Sequence, residues 1–164
     1  QSTTDKLTNL NNRAKTDQIL LQKKSDVDRY HTDLSIILLD IDYFKSINDT
    51  HGHLIGDQVL VQFAQLIKHN LRVNDSVGRW GGEEFLIICP NTSLNDATEL
   101  ANKLLLHIRN YSFKGVGGVT AIAGISQLFN DDSVQKSLQN ADTALYQAKE
   151  NGRDQAIAFN KANV

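Results

Sequence analysis

The chain has 164 residues, 40% hydrophobic and 22% charged, which is the make-up of one ordinary globular domain able to bury a core without staples. A formal net charge of −2 supplies no overall basic field to recruit nucleic acid. One cysteine excludes a disulfide framework and a multi-cysteine zinc site, and no run approaches the ~18 apolar residues of a membrane span.

In chain order, residues 5–10 read as a turn or cap, and residues 13–30 as a helix with a polar outer face. Leu34-Ser35-Ile36-Ile37-Leu38-Leu39 is a dense apolar run without helical spacing, as in a central strand buried on both faces. Asp40-Ile41-Asp42 ends it. Residues 48–56 read as a loop broken by Gly52 and Gly56. Leu60, Phe63, Ala64, Ile67 and Leu71 then share one helical face. Two short strands flank Gly81-Gly82, a hairpin signal. Leu94, Ala97, Leu100, Ala101, Leu104, Leu105 and Ile108 mark a further amphipathic helix, and residues 119–125 a strand. Val134, Leu138, Ala141, Leu145 and Ala148 mark the last long helix, stopped by Gly152 before a closing strand over residues 156–159. This α-β-α-β-β-α-β-α-β order predicts an α+β fold with a split βαβ, ferredoxin-like core. Cys89 lies within an apolar run and reads as a small buried residue in a reducing compartment.

Several clusters can carry chemistry, and each has a plainer alternative. Asp40 and Asp42, two apart on a strand, would share a face where a buried strand emerges, and a carboxylate there needs a partner. Hard oxygens suit Mg²⁺; the alternative is a polar strand end with an Asp helix cap. In Gly81-Gly82-Glu83-Glu84-Phe85 the glycines permit a tight turn and close ligand approach, and the adjacent acids point to opposite faces. The alternative is an exposed, solubilising hairpin. Lys149 and Arg153 flank a helix end, as a phosphate clamp or as cations complementing the helix dipole. Lys45 adds a third positive charge. Asn48 and Asp57 flank a glycine-containing loop; an amide and a carboxylate together can read a guanine edge, or act as turn former and helix N-cap. His51 and His53 are a poor zinc pair, since no third ligand of suitable spacing follows.

Taken together and in this order, these motifs resemble the GGDEF family of diguanylate cyclases. The matching segments run from Asp5-Lys6-Leu7-Thr8 through Asp40-Ile41-Asp42-Tyr43-Phe44-Lys45, Asn48-Asp49, Gly52-His53, Gly56-Asp57 and Arg79-Trp80-Gly81-Gly82-Glu83-Glu84-Phe85 to Ala141-Asp142, Leu145-Tyr146, Ala148-Lys149 and Gly152-Arg153. The resemblance implies a nucleotidyl-cyclase, palm-like fold over a single domain of residues 1–164. It implies Asp40, the Ile41 carbonyl and Glu84 as ligands of Mg²⁺, two ions per half-site with Mn²⁺ as a substitute. Glu83 is implied as the acid beside the ribose 3′-hydroxyl, also within reach of metal. Asn48 and Asp57 match the guanine readers, with His53 and Gly82 close by, and Phe44, Lys45, Lys149 and Arg153 the phosphate binders. Arg72-Val73-Asn74-Asp75 matches the family's RxxD inhibitory product site, nine residues before Gly81.

The implied reaction joins two GTP into cyclic di-GMP in a homodimer of half-sites. Asn9 stands where the family usually has glycine, and Asn tolerates left-handed geometry. Ile122 stands where family members often have serine. No signal peptide opens the chain, and Gln1 is not an initiator methionine, so a cytoplasmic, C-terminal piece of a longer protein with an upstream sensory domain is expected. Two rival functions are a non-catalytic receptor for GTP or cyclic di-GMP and a mononucleotide cyclase.

Overall fold

The computed structural model describes residues 2–160. Its elements are α1 (Arg13–Tyr30), β1 (Leu34–Ile41), α2 (Phe44–His51), α3 (His53–His69), β2 (Ser76–Arg79), β3 (Glu84–Pro90), α4 (Leu94–Asn110), β4 (Ala121–Gln127), α5 (Val134–Glu150) and β5 (Ala156–Ala158). The five strands form one sheet in the order β2-β3-β1-β4-β5. β1 runs antiparallel to both β3 and β4, and β2 antiparallel to β3. That arrangement of β1 to β4 is the split βαβ expected from the sequence. β5 extends it, parallel to β4.

Side-chain alternation along β1 feeds two cores. Ile37, Leu39 and Ile41 pack with Phe63 of α3, Phe85 of β3 and Leu104 of α4. Leu34, Ile36 and Leu38 pack with Leu20 of α1, Leu86 of β3 and Leu145 of α5. The apolar run is therefore buried on both faces, as a strand covered by helices on each side must be. Cys89 is fully buried, and burial pushes its thiol pKa up, so it is an inert core residue.

Local chemistry sets the helix ends. The side chains of Asn12, Ser93 and Ser133 cap α1, α4 and α5 by accepting from the amides of Lys15, Asp96 and Lys136. After α5, Gly152 takes φ +109°, which ends the helix as expected. Asn9 adopts φ 63° in a turn closed by the Asp5 carboxylate, which accepts from the Thr8 amide at 2.9 Å and the Thr8 hydroxyl at 2.7 Å. Asparagine thus fills the left-handed position at which the family prefers glycine.

Two expectations are corrected. Residues 48–56 are not a loop: α2 and α3 occupy them, separated by Gly52 at φ +88°. Gly56 is helical and buried because a Cβ there would fall 1.7 Å from the Asn48 Oδ1, so it serves close packing rather than chain breaking. The strand expected over 119–125 runs Ala121–Gln127. A turn closed by Phe113 and Gly117 at 2.8 Å precedes it, and the Thr120 carbonyl accepts from the Asp42 amide at 2.9 Å.

Gly124 sets how closely α5 approaches the sheet. A Cβ there would lie 2.2 Å from the Ala141 carbonyl oxygen and 2.6 Å from the Leu145 nitrogen, both backbone atoms that cannot swing away. Gly124→Ala is expected to destabilise the domain by about 1–3 kcal/mol in urea unfolding, as overpacked cores are. Gly118→Ala, with open space around the site, is expected to stay within about 0.5 kcal/mol. Equal stability of the two variants would contradict this packing.

Candidate active site

The cleft that concerns function opens at the end of β1. It has a volume of about 480 Å³ and is lined by Asp40, Ile41 and Asp42, the start of α2 with Phe44 and Lys45, Glu83 of the hairpin, and Lys149 and Arg153 at the end of α5. β1, the hairpin and Asp49 of α2 supply its acids, and Lys45 of α2, Lys149 of α5 and Arg153 beyond it supply its cations.

The acidic cluster follows from strand register. Asp40 pairs across β1–β3 with Glu84, and across β1–β4 with Ile122. Cross-strand partners share a face. The preceding residues on that face are Leu38, Leu86 and Gly124, beneath α1 and α5. Asp40 and Glu84 are thus the first polar pair where this apolar ladder runs out. Burial, then the neighbouring charges of Glu83 and Glu84, raise the Asp40 pKa from 3.8 to about 8. Burial, then Asp142 and Glu83, also raise Glu84, opposed by Arg13. Such crowding favours whatever brings positive charge, a proton or a hard cation. Among the described residues no group of three or more His, Cys, Asp or Glu forms a ready-made metal cage.

Asp42 departs from the expected shared face. β1 ends at Ile41, so strand alternation stops before it. Its carboxylate is 3% exposed and accepts from the Thr120 hydroxyl at 2.7 Å and the Asp154 amide at 3.0 Å. Burial raises its pKa, offset by those two bonds and by the Arg153 charge.

The hairpin differs in detail from its glycine-based expectation. Left-handed glycines are Gly52, Gly115, Gly117 and Gly152, not Gly81 or Gly82. The turn closes instead through the amides of Trp80 and Gly81, which donate to the Glu84 carbonyl at 2.8 and 3.2 Å. Glycine is needed at 81 for room, since a Cβ would lie 2.9 Å from the Glu84 Oε1, while Gly82 faces open space. Glu83 lines the cleft, while Glu84 sits beside Gly81 and opposite Asp40, and both lie close enough to Asp40 to raise its pKa.

Residues without an expected role hold this hairpin. Arg79 donates to the Gly82 carbonyl at 3.1 and 2.7 Å and to both Asp5 carboxylate oxygens at 3.4 Å. Arg13 donates to the Trp80 carbonyl at 2.9 Å, with its guanidinium 3.6 Å from the Trp80 ring centre. The segment before α1 therefore fastens the hairpin from outside. The pairing of Asp5 with Arg79 spans 74 residues, so no local pattern reveals it.

Among the cations, Lys149 is exposed in the last turn of α5, where a helix dipole welcomes a cation. Lys45 sits in the first turn of α2, where the dipole opposes it. An anion between them relieves that conflict. The Arg153 guanidinium lies 4.4 Å from the Tyr43 ring centre.

The remaining residues lie around the cleft rather than in it. Asn48 packs on Gly56, and its Oδ1 is buried without a hydrogen-bond partner. Asp57 is exposed one turn beyond the exposed His53, and lines a neighbouring groove with Leu7 and Leu54 instead of the main cleft. Arg72 and Asp75 close a tight turn before β2, at the opposite end of that strand from the hairpin: the Arg72 amide donates to the Asp75 carboxylate at 3.0 Å. Arg72 lines a separate groove with Asp96 and Lys103.

Known proteins show the same pattern. The sequence profile of "Diguanylate cyclase, GGDEF domain" matches residues 2–155. The response regulator PleD of Caulobacter vibrioides is 41% identical over 130 residues, covering 76% of this chain and 29% of PleD. The diguanylate cyclase DgcP of Pseudomonas aeruginosa is 41% identical over 154 residues, covering 92% of this chain and 23% of DgcP. The chain thus spans less than a third of these relatives. The GGDEF domain of DgcB from Caulobacter crescentus, solved in complex with c-di-GMP, superposes with a TM-score of 0.91 at 30% identity, covering 96% of each chain. With the profile matched along nearly its full length and the fold shared, the chain belongs to the GGDEF-domain family of diguanylate cyclases.

Proposed function

We propose that this domain condenses two molecules of GTP into cyclic di-GMP, releasing two pyrophosphates. The observation that carries the reading is the one cleft that gathers the carboxylates of Asp40 and Glu83 with Lys45, Lys149 and Arg153. A triphosphate needs the cations, and a hydroxyl that must lose a proton needs an acid nearby. Glu83 lines the cleft and is the candidate to take the ribose 3′-hydroxyl proton as that oxygen attacks the α-phosphorus of the second GTP. Lys149 and Arg153 neutralise the triphosphate, with Phe44 and Lys45 at the start of α2 completing its cradle. Asn48 and Asp57, on either side of the α2–α3 break, are the proposed guanine readers on the strength of their match to the family motif, with His53 one turn from Asp57 and open space at Gly82 for close approach.

The crowded acids fit a hard divalent cation. Asp40, Glu84 and the Ile41 carbonyl would hold Mg²⁺, two ions per half-site with Glu83 in reach, and Mn²⁺ in substitution. When bound, Mg²⁺ lowers the pKa of the attacking hydroxyl and offsets charge on the phosphates. Because the product is two-fold symmetric and one cleft fits one GTP, two domains must face each other, and catalysis becomes largely positioning. We further propose product feedback at Arg72 and Asp75, whose guanidinium and carboxylate suit a guanine and its phosphate. No described helix is long and apolar enough to cross a membrane. A cytoplasmic setting with an upstream sensory domain agrees with the domain being a fraction of its relatives.

Incubation with GTP and Mg²⁺ at several protein concentrations tests the reading. Cyclic di-GMP formation is expected to rise faster than linearly with protein, and Glu83→Gln to lower it by about 10²–10⁴-fold while sparing the melting temperature. Nucleotide binding without product at high concentration would instead favour a receptor. Arg72→Ala is expected to keep the initial rate but lose inhibition by added cyclic di-GMP; undiminished inhibition would remove the Arg72 site.

Asp40 also predicts a pH effect. The folded chain keeps the Asp40 proton up to about pH 8, whereas the unfolded chain releases it near 3.8. Between those values the folded state binds the extra proton, so stability falls as pH rises through that window and levels off above it. In chelator, the melting temperature of Asp40→Asn is expected to fall less than that of the unaltered domain between about pH 6 and pH 8. Parallel curves for the two proteins would contradict the crowding.

A further inference from the structure

We propose that Asp42 is a positioning residue for triphosphate binding: it holds the Arg153–Asp154 turn so that the Arg153 guanidinium stays in the cleft. The proposal rests on the cleft being a GTP site.

Asp42 follows Asp40 in a motif that suggests a second metal-facing acid, yet one of its carboxylate oxygens is committed elsewhere, while the other, Oδ1, is buried without a hydrogen-bond partner. One oxygen accepts both the Thr120 hydroxyl and the Asp154 amide, at 2.7 and 3.0 Å, tying the approach to β4 to the segment after α5. That segment is unusual. Gly152 at φ +109° is followed by Arg153 at φ 64° and Asp154 at φ 47°. Two successive residues bearing a Cβ in the left-handed region persist only where their surroundings hold them. Four anchors do so here. The Arg153 amide donates to the Ala148 carbonyl at 3.0 Å, the Gln155 side-chain amide to the Arg153 carbonyl at 3.0 Å, the Asp154 amide to Asp42, and Arg109 of α4 grips the Asp154 carboxylate at 2.9–3.2 Å. Of the four partners, only Asp42 lines the cleft.

Arg153 is the residue of this turn that lines the cleft, and its guanidinium rests against Tyr43. Tyr43 is itself left-handed at φ 56° and adjoins Asp42 in the chain. Three strained residues therefore converge on the corner that aims one guanidinium. A free arginine side chain would have to be ordered by the ligand; one already oriented costs the ligand less on binding. Losing the Asp42 anchor should accordingly weaken GTP binding, without touching proton transfer by Glu83 or the demand for metal.

The test is a double-mutant cycle of Asp42→Ala and Arg153→Ala, read on kcat and KM for GTP and on half-saturating Mg²⁺. Each single change is expected to raise KM by about tenfold, the scale of one charged hydrogen bond. The double variant should be no worse than Arg153→Ala alone, with kcat within about threefold and the Mg²⁺ requirement unchanged. Asp42→Asn keeps an oxygen for both donors and should restore most of the affinity. Multiplying effects, a raised Mg²⁺ requirement, or Asp42→Asn as impaired as Asp42→Ala would overturn the proposal, the last two marking the charge itself as needed for metal. Should Asp42→Ala fail to fold, Thr120→Val replaces it in the cycle with the same expectations at smaller size. Equilibrium titration with a non-hydrolysable GTP analogue runs alongside. It reads the cycle even if the unaltered domain makes no cyclic di-GMP, a result that would sink the proposed reaction and leave the Asp42–Arg153 coupling still measured.

Discussion

A strand buried on both faces has to come out of the sheet somewhere, and the place where β1 emerges governs this structure. Through Leu39 its apolar side chains feed two separate hydrophobic layers, and the one polar residue among them, Ser35, is buried with its hydroxyl donating to the Thr92 carbonyl at 2.8 Å. Asp40 is the first carboxylate past that limit, and the β1–β3 register sets Glu84 beside it. Neither acid can choose a wetter place without breaking the register, since a shift of one residue would turn every apolar side chain of the strand to the wrong face. The site's electrostatic tension is a consequence of the core.

Helix ends supply the other sign. Lys149 complements the dipole at the end of α5, and Lys45 works against the dipole at the start of α2. The second arrangement makes structural sense once an anion lies between the helix start and the lysine. Gly124 lets α5 lie directly on β4, which brings Lys149 and the turn after it to the mouth of the same cleft. Backbone proximity at one glycine thus helps decide where a charge at the far end of a helix is delivered.

Neither the hairpin nor the turn after α5 is held by the sheet alone. The hairpin is fastened by Asp5, Arg13 and Arg79, and the Arg153 turn by Asp42, Thr120 and Arg109. Both fastenings are polar contacts between residues far apart in the chain, added on top of the apolar core.

By itself, the sequence determined the elements and most of the site. The continuous apolar run over residues 34–39 and the helical spacing in α3, α4 and α5 report burial directly, because burial is what selects apolar side chains. Ordered motifs placed Asp40, Glu83, Lys45, Lys149 and Arg153, and these five do line one cleft. Tertiary structure decided what local pattern cannot encode. Gly52 and Gly56 look alike as breakers, but one separates two helices and the other lies inside one, a difference set by the Asn48 side chain packed on it. Gly81 and Gly82 read alike as tight-turn formers, yet neither has a positive φ, and only Gly81 is needed for room, beside the Glu84 carboxylate. Asp42 reads as a twin of Asp40, yet it lies past the end of β1 and bonds Thr120 and Asp154, residues 78 and 112 positions away. Partners that distant meet only after the sheet has formed, so the side chains that aim the site belong to the fold and not to any motif.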